Sequence, residues 1–357
     1  YRKKLEEIID SYLTDGINKE ETWSDNHAVA FRAMVLTNVW WKLREEKALS
    51  YDLNNKLLEG IKKHGDYLFD DNHYEANYNH GINEAAALLV MAENFPDLTG
   101  ALEWKQKAIK RLANSATDLI DKDGSLIENS PYYQFYVLSK YAEIESYSKR
   151  YDVKISDDFS LVVKKMVDYS LYLIKPDLSV PLVGASIATN VHLNKIFKLL
   201  INDNSEFYYA ITQGKKGTKP KSRNIFFENA GKTIMRSSWG DESNFSNQTY
   251  LFFNIGAYRT IHSDYDALNF ILYSKGRDLI VDSGLYSYEK SELKEYFDGT
   301  LAHNTVVVDD KDQFAGAVSK GDFYEDDNIV QQSASHDLYL GVSHYRNISL
   351  IGSDDVF

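Results

Sequence analysis

The chain has 357 residues, 43% of them apolar and 26% charged, with a formal charge of −13 and no cysteine. The length sets an expectation of two domains. The acidic balance excludes a nucleic-acid binder, which needs a basic footprint, and the missing cysteines exclude disulfides and thiolate metal sites. No apolar run reaches the length of a membrane span. The chain starts at Tyr1 without Met. A removed leader would make the periplasm or the exterior the expected location, and a chain without one would be cytoplasmic. The unusual feature is aromatic: 26 Tyr, 17 Phe and 5 Trp. Tyrosine can pack inside with a wet hydroxyl or line a groove that stacks on flat sugar faces.

Residues 1–212 read as helices. "DNHAVAFRAMVLTNVWWKL" opens on Asp25, a cap residue, and carries a broad apolar face. "NEAAALLVMAENF" is rich in helix formers and stops before Pro96. "FSLVVKKMVDYSLYLI" sets Val163, Val167, Leu171 and Ile174 at helical spacing before Pro176, and "TNVHLNKIFKLLI" predicts another helix. Short turn-like pieces, "DKDGS" and "KPDLS", separate such segments. Helices on short connections imply antiparallel hairpins packed side by side.

At "GKKGTKPKSR" apolar periodicity disappears, and the runs that follow are β-branched and aromatic: "KTIMRSSW", "QTYLFFNIGAY", "ALNFILYSKGRDLIVDSG", "HNTVVVDD" and "DLYLGVSHYRNISLIG". "SKGR" predicts a hairpin turn. The expected organisation is α+β and multidomain: helices over 1–213, a linker at 214–224, and an antiparallel β-sandwich over 225–357, expected to be incomplete.

Four places carry more polar functionality than packing requires. Asn79-His80 precedes Gly81 and an apolar helix, a position that also suits a capping asparagine. Glu128, Asn129 and Ser130 precede Pro131, which fits the first turn of a helix and puts Tyr132-Tyr133 near its mouth; a Tyr-rich packed face is the plainer alternative. In "YRTIHSDYDALNF", His262, Asp264 and Asp266 alternate, so an extended chain would point all three one way. Burying such a set is costly unless it serves a site or a metal. Asp282 and His303 lie where apolar runs meet polar sequence. Carboxylate plus imidazole makes a plausible divalent-metal site with nitrogen and oxygen ligands.

Together these motifs resemble the heparinase II/III-like polysaccharide lyases, over nearly the whole chain and in the right order. "NHG" before an Ala/Leu-rich helix is similar to that family's first catalytic segment, "ENSPYYQFYVL" to its second, and "HSDYDALNF…GRDLIVDSG…AHNTVVVD" to its sandwich signature. The resemblance implies an incomplete (α/α) toroid followed by the sandwich, with a sugar chain bound in the cleft between. Residue by residue it implies Asn79 as the carboxylate-neutralising asparagine, His80 as a histidine that is the base in some members, Tyr133 as the catalytic tyrosine and His262 as the catalytic histidine. Asp282 and His303 match two metal ligands. Zinc-binding members have His where this chain has Asp264, which implies a harder, oxygen-richer site for one structural divalent ion, zinc or calcium. Gln134 stands where many relatives have His. No organic cofactor is implied.

The implied chemistry is β-elimination at O4 of a uronic acid in an acidic polysaccharide: the C5 proton leaves, the C4–O bond breaks, and an unsaturated product forms. The intermediate resembles an enolate, and amide and imidazolium donors aimed at the carboxylate stabilise its extra charge. Tyr133 can take and return the proton if its phenol is partly ionised, with His262 as partner. Arg32, Tyr132, Glu128 and Arg259 are candidate sugar contacts, with Lys232 beside them. Three rivals remain at this point: a glycoside hydrolase on the same scaffold, using a carboxylate pair among Glu75, Glu84 and Glu128, a non-catalytic sugar-binding or polymer-assembly protein, and a purely structural module. Composition carries no signal for oligomeric state.

Overall fold

The computed structural model describes residues 2–191, 197, 200, 204–258 and 261–352. Its helices are α1 (Arg2–Thr14), α2 (Asn26–Glu45), α3 (Tyr51–Phe69), α4 (Asn79–Asn94), α5 (Ala101–Asp118), α6 (Pro131–Tyr151), α7 (Phe159–Leu173), α8 (Ser205–Ile211) and α9 (Glu292–Asp298). Its strands are β1 (Ile225–Phe227), β2 (Lys232–Arg236), β3 (Tyr250–Asn254), β4 (Phe270–Ser274), β5 (Arg277–Ile280), β6 (Ser319–Glu325), β7 (Ile329–Tyr339) and β8 (Val342–Ile351). They group into two compact units, residues 1–118 with 147–159, and residues 119–146 with 160–357. Among the described residues no helix is long and apolar enough to cross a membrane.

In the first unit α2 packs on α3 and α4, and α4 on α5. Asp25 caps α2 as its spacing predicts, its carboxylate accepting the Ala28 N–H at 2.8 Å, and the Ser50 hydroxyl accepts the Leu53 N–H to cap α3. The chain then runs from α3 to α4 over a cation: the buried Arg111 guanidinium donates to the Leu68, Phe69 and Asp70 carbonyls and to Asp71, and stacks 4.1 Å from the Tyr74 ring. These bonds satisfy carbonyls that the end of α3 leaves without partners. Tyr78, not Asn79, is the N-cap of α4, so Asn79 is its first helical residue. Gly81 is required there, because a Cβ would stand 2.5 Å from the Glu75 carbonyl oxygen. The glycine of "NHG" therefore lets the incoming chain lie on the first turn of α4.

In the second unit one antiparallel sheet has the order β1-β2-β3-β4-β5 and another β6-β7-β8. Met235, Leu251, Phe253 and Leu272 of the first meet Val330, Ala334, Leu338 and Leu350 of the second in one core, a sandwich whose strands β2 and β3 are buried at every position. The turn predicted at "SKGR" forms with Lys275 and Gly276 both at positive φ, 52° and 79°, the hairpin type that matches strand twist.

Two sequence expectations differ from the structure, and a third is not tested by it. "HSDYDALNF" is irregular up to β4, with His262 and Leu268 at φ 57° and 63°, a backbone state that breaks an extended run. "HNTVVVDD" is also no strand, since the Asn304 amide occupies the Phe270 and Val281 carbonyls at the sheet edge. Asp282 and His303 therefore stand on loops and not on strands. The helix expected in "TNVHLNKIFKLLI" falls largely outside the described residues.

Candidate active site

The loop before α6 builds the first cluster, within the second unit. The Ser130 hydroxyl caps the helix by accepting the Tyr133 N–H at 3.4 Å, with Pro131 at the first helical position. This turns the half-buried Tyr133 ring onto His262: their centroids are 3.9 Å apart and their planes 8° from parallel. Beside the imidazole lies Glu128, with a carboxylate oxygen 2.9 Å from His262 Nδ1, an ion-pair contact without hydrogen-bond alignment, and with its side chain 0% exposed. Glu128, expected to touch the substrate, is thus walled in beneath the histidine. The His262 backbone is held as tightly. Its carbonyl accepts the Ala185 N–H at 3.1 Å, and a Cβ at Gly184 would lie 2.3 Å from that oxygen. Only glycine permits so close an approach.

The Tyr133 and Tyr288 hydroxyls are 2.7 Å apart and share a hydrogen bond. Tyr288 is 56% exposed and its ring lies 6.0 Å from that of His262. Sequence reasoning missed it, because the two tyrosines of "LYSYEK" carry no spacing signal. Burial pushes the Tyr133 phenol above its ordinary value; the Tyr288 bond opposes this, and the Glu128 charge adds to it. Burial and the Glu128 charge thus favour the neutral phenol in the resting chain.

Asp264, Asp282 and His303 converge as expected, all buried, with one ligand atom of each within 4.8 Å of the others. His303 Nδ1 is 2.9 Å from Asp282 Oδ2. Its Nε2 faces Asp264 Oδ2 at 3.9 Å, and both of those atoms are buried without a hydrogen-bond partner. Asn269 braces the cluster, donating to Asp266 at 3.2 Å and Asp282 at 2.5 Å, and Asn254 donates to Asp266 at 2.8 Å. Burial and the neighbouring Asp266 raise the Asp264 carboxyl. For His303, burial pulls downward but the Asp282 bond and charge win, so it too is raised. Two orphaned ligand atoms among three buried carboxylates fit a divalent cation, which satisfies both atoms and balances the charge.

The first unit holds the other expected pair. Asn79 is 2% exposed. His80 is half-buried, its Nδ1 2.6 Å from Glu75 Oε2 and its ring stacked 4.0 Å from that of His27. Glu84, 0% exposed, accepts the Glu75 N–H at 2.9 Å with Oε2, while Oε1 is buried without a partner. Burial pushes its carboxyl up to about 7, against the lowering effect of that bond.

Of the remaining candidates, Tyr132 is half-buried and meets Tyr133 edge-on at 5.2 Å. Arg32 donates to the Thr22 carbonyl and keeps Nε buried, so its guanidinium is committed inside its own unit. Lys232 is 3% exposed, with its ammonium on Asn254, which removes it from any surface. Arg259 lies outside the described residues.

The sequence profile of the heparinase II/III N-terminus matches residues 14–208, and that of the heparinase II/III-like C-terminal region matches residues 219–356. The chain belongs to the heparinase II/III-like family. It is 22% identical to a heparin-sulfate lyase of Pedobacter heparinus, over 83% of this chain and 45% of that protein. It is 25% identical to one of Bacteroides thetaiotaomicron, over 92% and 53%. A crystal structure of heparinase III superposes with a TM-score of 0.85 at 21% identity, over 98% of this chain and 57% of that one. A heparan sulfate lyase mutant from Pedobacter heparinus gives 0.80 at 22%, over 98% and 56%. The chain thus spans about half the length of these relatives. Its fold class is that of heparinase III, a helical toroid followed by an antiparallel β-sandwich.

Proposed function

We propose that this chain carries the elimination machinery of a polysaccharide lyase acting on a uronate-containing polymer of the heparan sulfate type. The observation that carries the reading is the stacked Tyr133–His262 pair with Glu128 beneath it, in a chain whose similar proteins are named heparin-sulfate lyases. In this reading hydrogen-bond donors aimed at the uronate carboxylate stabilise its second negative oxygen as the C5 proton departs. Tyr133, its phenolic proton first passed to solvent water, takes the C5 proton as a phenolate. The C5–H electron pair forms the C4–C5 double bond, the C4–O bond breaks, and the same hydroxyl returns the proton to the leaving oxygen. Tyr288 supports the phenolate through its hydrogen bond. Glu128 fixes the orientation of His262, and the imidazole face braces the phenol ring.

The Asp264, Asp282 and His303 group would hold one divalent ion, zinc or calcium, whose charge ties three loops of the sandwich together. Its role in this reading is structural. We keep the helical region 1–213 and the sandwich region 225–357 as the proposed domain division.

A hydrolase needs two carboxyl groups facing the scissile bond. Glu84 and Glu128 are 0% exposed and Glu75 is engaged by His80, which favours elimination. The deciding experiment is an ultraviolet screen for unsaturated product over purified polyuronates: heparan sulfate, unsulfated glycosaminoglycans and alginate. Absorbance growing on the heparan-type chain supports the reading. New reducing ends without absorbance on every polymer would replace it with hydrolysis.

A further inference from the structure

We propose that Ser186 is a positioning residue of the elimination site: the loop of residues 184–186 fixes, relative to one another, the three segments that present Tyr133, His262 and Tyr288. This role rests on the lyase reading above. All of these residues belong to the second unit.

The loop meets each segment in turn. Gly184, at φ 59°, brings the chain so close that a Cβ would stand 2.3 Å from the His262 carbonyl oxygen and 3.0 Å from that of Asn129. The Ala185 N–H donates to the same His262 carbonyl at 3.1 Å. The Ser186 hydroxyl accepts the Tyr132 N–H at 3.3 Å and shares a hydrogen bond of 2.9 Å with the Ser130 hydroxyl. Its carbonyl accepts the Leu285 N–H at 2.9 Å, on the segment that leads to Tyr288. Gly284 lets that segment lie close, since a Cβ there would be 2.7 Å from the Ser186 carbonyl oxygen.

The hydroxyl pair gives Ser186 its particular role. The first turn of α6 leaves backbone N–H groups without helical partners. Ser130 accepts the Tyr133 N–H and Ser186 the Tyr132 N–H, so adjacent amides are capped by one local and one remote hydroxyl. Each hydroxyl carries one proton and two lone pairs. One can therefore donate to the other while both still cap. Both serines are buried, so deleting either oxygen leaves an amide that water does not readily serve. A local cap alone would satisfy α6 but leave its mouth free against the turn of His262; the remote cap ties the two together. The Asn129 amide adds a second tie, donating to the Ser263 hydroxyl at 3.1 Å. Loss of the Ser186 hydroxyl thus shifts the stacked rings and does not part them. For reacting groups a shift of an ångström costs on the order of a hundredfold in rate.

The test compares the unsubstituted chain with Ser186→Ala and Ser130→Ala, each of which deletes one oxygen and keeps the shape. The geometric readout is the NMR spectrum of isotope-labelled histidine, with the His262 signal assigned as the one lost in His262→Gln. The ring current of Tyr133 displaces that signal upfield in the unsubstituted chain. In Ser186→Ala it moves toward the position of a free imidazole. On the preferred polyuronate kcat falls about tenfold with KM unchanged, within the range for a misplaced reacting group. Ser130→Ala breaks the same hydroxyl pair and moves the same signal, and the double variant loses less than the product of the two, as one shared interaction requires. A His262 signal that stays in place in both variants, an intact kcat in Ser186→Ala, or a raised KM at unchanged kcat overturns the role. The NMR readout needs no turnover. Failure of the lyase reading gives a different result: no ultraviolet-absorbing product from the unsubstituted chain, while the His262 signal still responds to Ser186→Ala.

Discussion

The Tyr133 phenol and the His262 imidazole lie face to face, 3.9 Å between centroids and 8° from parallel. They come from sequence positions more than a hundred residues apart. A helix capped by Ser130 delivers one, and a left-handed turn braced by Gly184 delivers the other. Such precision at two independent backbone constraints is what a site needs to hold reacting groups in place.

Glu128 lies beneath this pair with its side chain fully buried. Glu128→Gln removes the charge and keeps the shape, so the imidazole loses the partner that selects its orientation. The expected outcome is a fall in kcat of roughly tenfold to a hundredfold, the loss typical of such orienting partners, with KM little changed. Steady-state kinetics on the preferred polymer check it; a raised KM at unchanged kcat would instead make Glu128 a substrate contact.

Tyr288 donates to or accepts from Tyr133, and its bond lowers the phenol against the upward push of burial. In Tyr288→Phe the Tyr133 phenol rises further, so the ascending limb of kcat against pH moves to the alkaline side. A pH–rate profile that superposes on that of the unsubstituted chain would remove Tyr288 from the mechanism.

Glu84 gives a pH prediction for stability. Its folded carboxyl is raised by burial from 4.5 to about 7. The folded state thus binds its proton more tightly than the unfolded chain does. The contribution is complete below 4.5 and is lost as pH rises through 7. Glu84→Gln mimics the protonated form and lacks this loss. Between pH 5 and pH 8, Tm of the unsubstituted chain should fall by several degrees relative to Glu84→Gln, as thermal melts at both pH values will show. Parallel behaviour of the two would mean Glu84 is ionised at no cost.

The buried Asp264, Asp282 and His303 group predicts a metal effect on stability. An ion held at a hundredfold excess over Kd adds about 2.7 kcal/mol, so chelation should lower Tm by roughly 5–10 °C. Zinc or calcium should restore it, and the Asp264→Asn chain should respond to neither. A melting transition indifferent to chelator in the unsubstituted chain would argue against an ion there.

Much of this was legible from residue type and spacing. Asp25 and Pro131 mark helix starts by chemistry that acts within a few residues, and β-branched and aromatic runs locate β2, β3, β4, β5 and β8. What failed was local pattern under tertiary control. The alternation of His262, Asp264 and Asp266 reads as a strand, but the partners those groups need come from Asn254, Asn269, Glu128 and His303, and the backbone turns to reach them. β6 is mostly exposed and lacks alternation, so nothing in its composition separates it from a loop. Tyr288 and the orienting role of Glu128 depend on contacts across long sequence separations, which periodicity does not encode.

The most direct measurement is the initial rate of ultraviolet absorbance on a heparan-type polyuronate, for the unsubstituted chain and for Tyr133→Phe side by side. The account predicts a steady rise for the first and a loss of about 10²–10⁴-fold for the second, the range for removing a general acid–base group, with equal melting temperatures. A Tyr133→Phe chain that makes unsaturated product at the full rate would contradict it.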